Sequence, residues 1–254
     1  MNDLVLRMLK GNKRTRSEHE GLVYNKSMEL VADYDIVFDP KTPIPLDVSM
    51  ADRVFSAAVD LLADVGIYCA DTNRVLEFSR SEIRKCIRNS RTSFNAGSGA
   101  ESTRVSFRKV LDENVPFIIG GPDAVPVSDD MYLPIHRSYA KINLVDSIAP
   151  ASLHNPNILD HKFNFKGSPL TLSDAHRGVS LIKEACKLEG RPDICCVSPP
   201  YIDDIKAAIS IANGKTMGSG DLQELYPRPD LEANFDEISR ITHYRCIGSY
   251  YIAS

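Results

Sequence analysis

Gly190-Arg-Pro-Asp-Ile-Cys-Cys-Val-Ser-Pro-Pro200 is the stretch whose reading decides the fold. It follows a helical pattern and carries a short apolar run, residues 194–197, that Pro199 and Pro200 stop abruptly. A short apolar run closed by residues that lack an N–H is a buried strand running into a rigid loop. In an α/β barrel that strand end is where the chemistry sits. Val197, the residue at this end, offers no acid, base, nucleophile or metal ligand.

Working outward, the pattern alternates. Upstream lie a helix over 173–188, a strand over 145–149 and a helix over 134–143. Before them, Val115 to Ile119 is an apolar run closed by Gly120-Gly121-Pro122, and Val105, Phe107 and Val110 roughly alternate with polar residues. Downstream, helical segments over 202–212 and 231–244 precede a β-rich 249–253. Alternating βα units imply parallel strands joined by right-handed crossovers. About four such units are legible, whereas a closed barrel needs eight. The fold class is therefore α/β, either an open doubly wound sheet or the first half of a barrel.

The N-terminal residues read differently. A polar stretch with a helical patch over 25–32 leads to a join at Pro40, Pro43 and Pro45. Asp47 or Ser49 can cap a helix whose Val54, Ala58, Leu61, Leu62 and Val65 share one face, and Gly66 ends it. Ser79 or Ser81 starts another helix, through about Asn89. This divides the chain into a helical extension over 1–103 and an α/β part over 104–254.

With 254 residues and 43% hydrophobic content the chain can bury a real core. Its formal net charge of -4 argues against nucleic acid or an anionic membrane as the main partner. The basic cluster Lys10, Lys13, Arg14 and Arg16 reads as a solvated arm. No apolar run approaches the roughly 18 residues of a membrane span. Asp3 and Arg7 spoil a signal-peptide core. The six cysteines include the adjacent Cys195-Cys196 but no C-x-x-C pair, so neither a zinc site nor a disulfide framework is expected. A cytoplasmic location follows as the expectation.

Strand alternation should place one of Cys195 and Cys196 on each face of the sheet, both as small hydrophobes. His136, early in its helix, reads as a hydrogen-bonded structural histidine or as a substrate-binding group at the barrel mouth. Gly120-Gly121 reads as a tight turn that could also contact substrate. Asp174-Ala-His176-Arg-Gly178 superficially matches the cobalamin-binding pattern D-x-H-x-x-G, but the glycine is one residue too close and the stretch opens a helix. Gly214-Lys215-Thr216 has Ile209 where a phosphate loop needs its first glycine.

Four blocks carry a resemblance: GIYCADTNR (66–74), GGPDAVPVSDDMYLPIHRSYA (120–140), LIKEACKLEGRP (181–192) and FDEISRITHYR (235–245). Together they resemble the corrinoid-dependent monomethylamine methyltransferases of methylotrophic methanogenic archaea, a family that carries pyrrolysine. The resemblance implies a TIM (β/α)8 barrel behind an N-terminal helical extension, here roughly its first four units, usually in a homo-oligomer. It implies methyl transfer from monomethylamine to the Co(I) corrinoid of a separate carrier protein. The corrinoid would belong to that partner, with no cofactor or metal on this chain. Pyrrolysine supplies an electrophilic imine that adds the amine, with carboxylates beside it managing protons.

Carried forward from Gly190-Arg-Pro192, the register puts the pyrrolysine slot on Val197 and a family active-site glutamate on Glu224. From its neighbours alone, Glu224 reads as a solvated residue of an acidic, Pro-rich loop with Asp221 and Asp230. Val197 cannot form an amine adduct, and the next family carboxylate would fall at about Ser254. Two functions are therefore expected to compete. In one, the chain is the N-terminal half of an amine methyltransferase whose gene continues or whose second half is a separate chain, acting on a methylated amine. In the other, it is an inactive or truncated relative serving as an assembly or corrinoid-protein-binding subunit.

Overall fold

The structure, a computed structural model, describes residues 2–42, 47–108, 112–123, 125–154, 169–197, 209, 211, 216–225, 230–243 and 247–250. It divides into two compact units, Met1–Arg91 with Arg228–Ile238, and Thr92–Pro227 with Ser239–Ser254.

In the first unit, helices α1 (Asn2–Lys10), α2 (Arg16–Asp33), α3 (Val48–Val65) and α4 (Arg80–Asn89) surround the hairpin β1 (Ile67–Cys69) and β2 (Arg74–Leu76). Each helix start follows from its sequence. Thr15 and Glu18 close a reciprocal capping box on α2, Asp47 accepts from the Ser49 amide, and Ser79 accepts from the Glu82 amide. Gly66 ends α3 at φ 74°, where a Cβ would lie 2.5 Å from the Leu76 carbonyl oxygen. The short strand Glu232–Ala233, β11 in chain order, pairs in parallel with β1. Met8, Cys69 and Leu76 form the core here, joined by Phe235 and Ile238.

His19, three residues past the basic cluster that reads as a solvated arm, is fully buried in this unit. Its Nε2 lies 3.1 Å from the Asp230 carbonyl and its Nδ1 3.1 Å from the Arg14 guanidinium. A carbonyl only accepts and a guanidinium only donates, so the proton sits on Nε2 and the ring is neutral. Burial holds its pKa below the usual histidine value.

The second unit opens with the antiparallel hairpin β3 (Ser93–Ala96) and β4 (Thr103–Ser106). Then come β5 (Ile119–Gly120), β6 (Pro126–Ser128), α5 (Asp129–Ala140), β7 (Ser147–Ile148) and β8 (Ser152–His154). The chain continues through α6 (Pro169–Leu188), β9 (Cys195–Cys196), β10 (Leu222–Leu225), α7 (Phe235–His243) and β12 (Ile247–Tyr250). Strands β5, β7 and β9 pair in parallel in that order, and a parallel bridge from Val197 to Leu222 leads on to the parallel pair β10 and β12. A second parallel pair, β6 and β8, follows β5 and β7 along the chain.

Alternation sorts the side chains of the third parallel strand. Ile194 and Cys196 pack with Tyr132, Ile148, Ile182 and Cys186. Cys195 and Val197 pack on the other face with Ala96, Leu222, Phe94 and Phe117. The adjacent cysteines thus lie on opposite faces, as a period of two requires.

Several sequence expectations need correction. Helix α5 begins at Asp129 rather than 134: Asp129 and Asp130 complement its N-terminal dipole, and Pro134 is absorbed inside it. Leu222–Leu225 is a strand, although its polar residues read as loop, because it is in parallel register with β12. The expected helix from 231 begins at Phe235, where Asn234 and Glu237 accept each other's amide N–H at 2.8 and 3.1 Å. The helix expected over 202–212 lies outside the described residues, apart from helical positions 209 and 211.

Two buried polar clasps hold the second unit. Asp221, 4% exposed, accepts from the Cys196 amide at 2.9 Å, the Gly218 amide at 2.7 Å and the Lys183 ammonium at 2.7 Å. His136, fully buried on α5, has Nδ1 2.6 Å from the Tyr132 carbonyl, and its Nε2 accepts the Ala151 amide at 3.1 Å. The Tyr132 hydroxyl donates to the Ala151 carbonyl at 3.2 Å. The backbone beyond β7 is therefore held at both its N–H and its C=O. Burial lowers the His136 pKa.

Asp221→Ala strands two amides and an ammonium, and should cost about 3 kcal/mol in urea unfolding. Asp221→Asn should cost about half of that, since one oxygen remains to accept. Both buried histidines, with folded pKa values below their unfolded ones, make the unfolded state the better proton binder. Stability is therefore fully present above the unfolded histidine pKa near 6.5 and is lost as pH falls below it, by up to about 1.4 kcal/mol per pH unit for each ring. His136→Asn, which can both donate and accept but does not titrate, should flatten that slope in unfolding curves taken between pH 7 and 5.

Candidate active site

The C-terminal ends of the parallel strands in the second unit define the candidate site. At the end of β5, the Gly120 carbonyl accepts the Ala149 amide at 2.8 Å. Gly121 follows at φ 146°, where a Cβ would sit 2.1 Å from the Ala149 carbonyl oxygen. Only glycine allows that approach. The pair thus shapes the turn; it also leaves backbone, and no side chain, at this strand end.

Two strands over, Val197 is 1% exposed and donates its amide to the Ile148 carbonyl at 2.9 Å. Its partner on the other side is Leu222. The proposed pyrrolysine slot is therefore a position fixed by backbone pairing on both sides and filled by a core side chain. Glu224 stands one strand over and two residues beyond Leu222, in register with Ser249. The structure brings the Val197 and Glu224 backbones to neighbouring strands; the Glu224 side chain lies outside the described residues. His136 lies elsewhere, beneath the segment that follows β7, with both ring nitrogens engaged.

The adjacent thiols are poorly suited to nucleophilic work. Burial pushes Cys195 up to about 11, and Cys196 is raised by its contact with the Cys186 thiol and by burial. Asp174-Ala-His176-Arg-Gly178 lies within α6, where His176 Nδ1 is 2.6 Å from the Thr216 hydroxyl. Among the described residues no group of three His, Cys, Asp or Glu side chains could hold a metal ion.

One constellation was not legible in sequence. Asp129, where β6 passes into α5, pairs with Arg177 of α6 at 3.0 Å, and one of its carboxylate oxygens is buried without a partner among the described residues. Burial raises the Asp174 carboxyl, opposed by Arg177 and reinforced by Asp129. These groups gather 45 residues apart in the chain, beside the parallel pair β6 and β8. The signal available was Asp174 and Arg177 at i,i+3 on one helix; their partner on α5 was visible only in the fold. A carboxyl raised by burial beside an ion pair holds its proton more readily than a solvated one.

A family profile described as Monomethylamine methyltransferase MtmB matches residues 1–254. The monomethylamine methyltransferase MtmB2 of Methanosarcina acetivorans is 32% identical over 219 residues, 86% of this chain and 47% of the relative. That of Methanosarcina mazei is 31% identical over 220 residues, 87% and 47% of the two chains. The crystal structure of the Methanosarcina barkeri enzyme superposes with a TM-score of 0.89 at 30% identity, covering 98% of this chain and 55% of that one. A crystal structure of a hydroxylamine MtmB complex matches equally well. The chain spans about half the length of the curated relatives it matches. With the profile matched from end to end, the chain belongs to the monomethylamine methyltransferase MtmB family.

Proposed function

We propose that this chain supplies the N-terminal part of a (β/α)8-barrel methyltransferase that moves a methyl group from a methylated amine to the Co(I) corrinoid of a separate carrier protein. The observation that carries this reading is the superposition of 98% of the chain on a solved monomethylamine methyltransferase at a TM-score of 0.89. The helical unit serves as the extension, and the parallel strands β5, β7, β9, β10 and β12 serve as the first part of the barrel. The remaining strands come from further polypeptide, and the assembly is a homo-oligomer or a pairing with a second-half chain in the cytoplasm. Among the described residues no helix is long and apolar enough to cross a membrane.

The reaction balances simply. The methyl group leaves nitrogen without its bonding electrons, Co(I) supplies an electron pair and becomes methyl-Co(III), and the amine departs neutral. For monomethylammonium the leaving group is ammonia, which the family activates through an imine adduct. One of the related solved MtmB structures is a complex with hydroxylamine. Val197 at the slot gives this chain no electrophile, so the substrate class we assign is a more highly methylated or quaternary amine. Within that class, a quaternary donor releases a neutral tertiary amine with no prior activation. Glu224 balances the cationic nitrogen, and the Gly120–Gly121 turn and Val197 wall the site against water.

The test is loss of the Co(I) absorbance of a reduced corrinoid protein, with the chain and its complementary half, in the presence of each methylamine, tetramethylammonium or glycine betaine. Turnover of a quaternary donor exceeding that of monomethylamine is expected. Glu224→Gln should lower the rate about 100-fold. Methylation by none of the donors sinks the enzymatic reading. Stable binding of the carrier protein without turnover would instead assign the chain a carrier-binding or assembly role.

A further inference from the structure

We propose that the basic cavity at the start of α2 is a binding site for a phosphate-bearing ligand. It lies wholly within the first unit and does not depend on the methyltransferase reading. Its volume is about 660 Å³, within the range of small-molecule sites, which runs from roughly 300 to 1,000 Å³. Lys13, Arg14 and Arg16 line it, with the Thr15 hydroxyl and, across from them, Tyr68 and Asn73 of the β1–β2 hairpin.

The stretch that reads as a solvated arm is instead fixed in place. Lys13 bridges Arg74 in antiparallel fashion, and the Arg14 amide donates to the Asn73 carbonyl at 3.1 Å. The Arg14 guanidinium is anchored on the Val65 carbonyl at 2.9 Å and on His19. Arg16 is pinned by Glu232, whose side chain is 1% exposed. The Arg14 and Arg16 side chains and the Lys13 backbone are therefore held without the ordering cost that a free arm would carry on binding.

Their balance of charge is also uneven. Glu18 is the carboxylate of the lining, and it is turned onto the Thr15 amide and hydroxyl at 2.8 Å each, as the helix cap. Lys13 has no carboxylate partner among the described residues. In a chain of net charge -4, a fixed cluster with an unspent ammonium and part-free guanidinium N–H groups is the reverse of the average surface. Tyr68 donates to Asn73 Oδ1 at 2.5 Å, which leaves the Asn73 amide nitrogen as a further donor. A tetrahedral dianion accepts from several such donors at once, whereas a carboxylate has two oxygens to offer. The volume left over accommodates an organic group attached to the phosphate.

Calorimetric titration of the full chain with inorganic phosphate, pyrophosphate and acetate at low ionic strength tests this. One site is expected for phosphate and pyrophosphate, with acetate at least about tenfold weaker, and affinity falling as salt is raised. Lys13→Glu should weaken phosphate at least about tenfold, while Lys85→Glu, the same charge change on exposed α4, should leave it within about twofold. Should Lys13→Glu fail to fold by circular dichroism, Lys13→Gln should still weaken phosphate about threefold. Absence of phosphate binding overturns the proposal. So does equal weakening by Lys13→Glu and Lys85→Glu, which would mark diffuse attraction, and so does acetate binding as tightly as phosphate.

Discussion

The Asp221 carboxylate stands where three pieces of the second unit meet, and the order of the parallel strands rests on it. Strand β9 is paired by β7 on one side, through Cys196 and Ile148. On its other side the Cys196 amide would face an unfilled ladder position before β10 begins, and the Asp221 side chain takes that hydrogen bond. The same carboxylate holds the Gly218 amide in the turn before β10 and the Lys183 ammonium of α6. One side chain thus ties a strand, a turn and a helix. It also sets the register in which Val197 meets Leu222, and with it the place of Glu224 two residues further on.

That register explains the chemical character of the strand ends. Close packing of β5 against β7 admits only glycine at 121, and pairing on two sides makes 197 a core position. Neither carries a reactive group in this chain. Titratable groups away from these strand ends stand at the start of α5 and on α6. The ion pair of Asp129 with Arg177 and the raised carboxyl of Asp174 lie on such positions.

What the sequence revealed depended on whether its physical cause was local. Asp47, Ser79 and Gly66 mark helix ends because caps and left-handed glycines act over three or four residues, and the structure uses all three. The opposite faces of Cys195 and Cys196 follow from the pleat alone. Strand β10 was hidden, since Asp221, Gln223 and Glu224 give it no apolar run and its existence comes from pairing with β12. His19 was hidden for the same reason: its burial depends on Asp230, 211 residues away. At the candidate site, the expected slot at 197 and glutamate at 224 come from a register carried along the chain, and the structure adds that their backbones lie on neighbouring strands. The Asp129–Arg177 pair, formed between two helices, does not come from such a register.

An inert strand end is compatible with methyl transfer when the donor is already activated. A primary ammonium ion must lose ammonia, and its three N–H groups are strongly solvated, so it gains most from a covalent partner that fixes and activates the nitrogen. A quaternary nitrogen has no N–H to solvate and leaves as a neutral amine. For such a donor, removal of water raises the reactivity of a cationic methyl toward an electron-rich acceptor. An apolar wall does this better than a polar one, and Val197, held by β7 and β10, offers such a wall. The remaining requirement is a single negative charge near the nitrogen, placed so that it steadies the cation without attacking the methyl. On the proposed reading Glu224 meets it from the adjacent strand. On the same reading, valine in place of an electrophile changes which amine the barrel serves and leaves the proposed direction of electron flow to cobalt as it was.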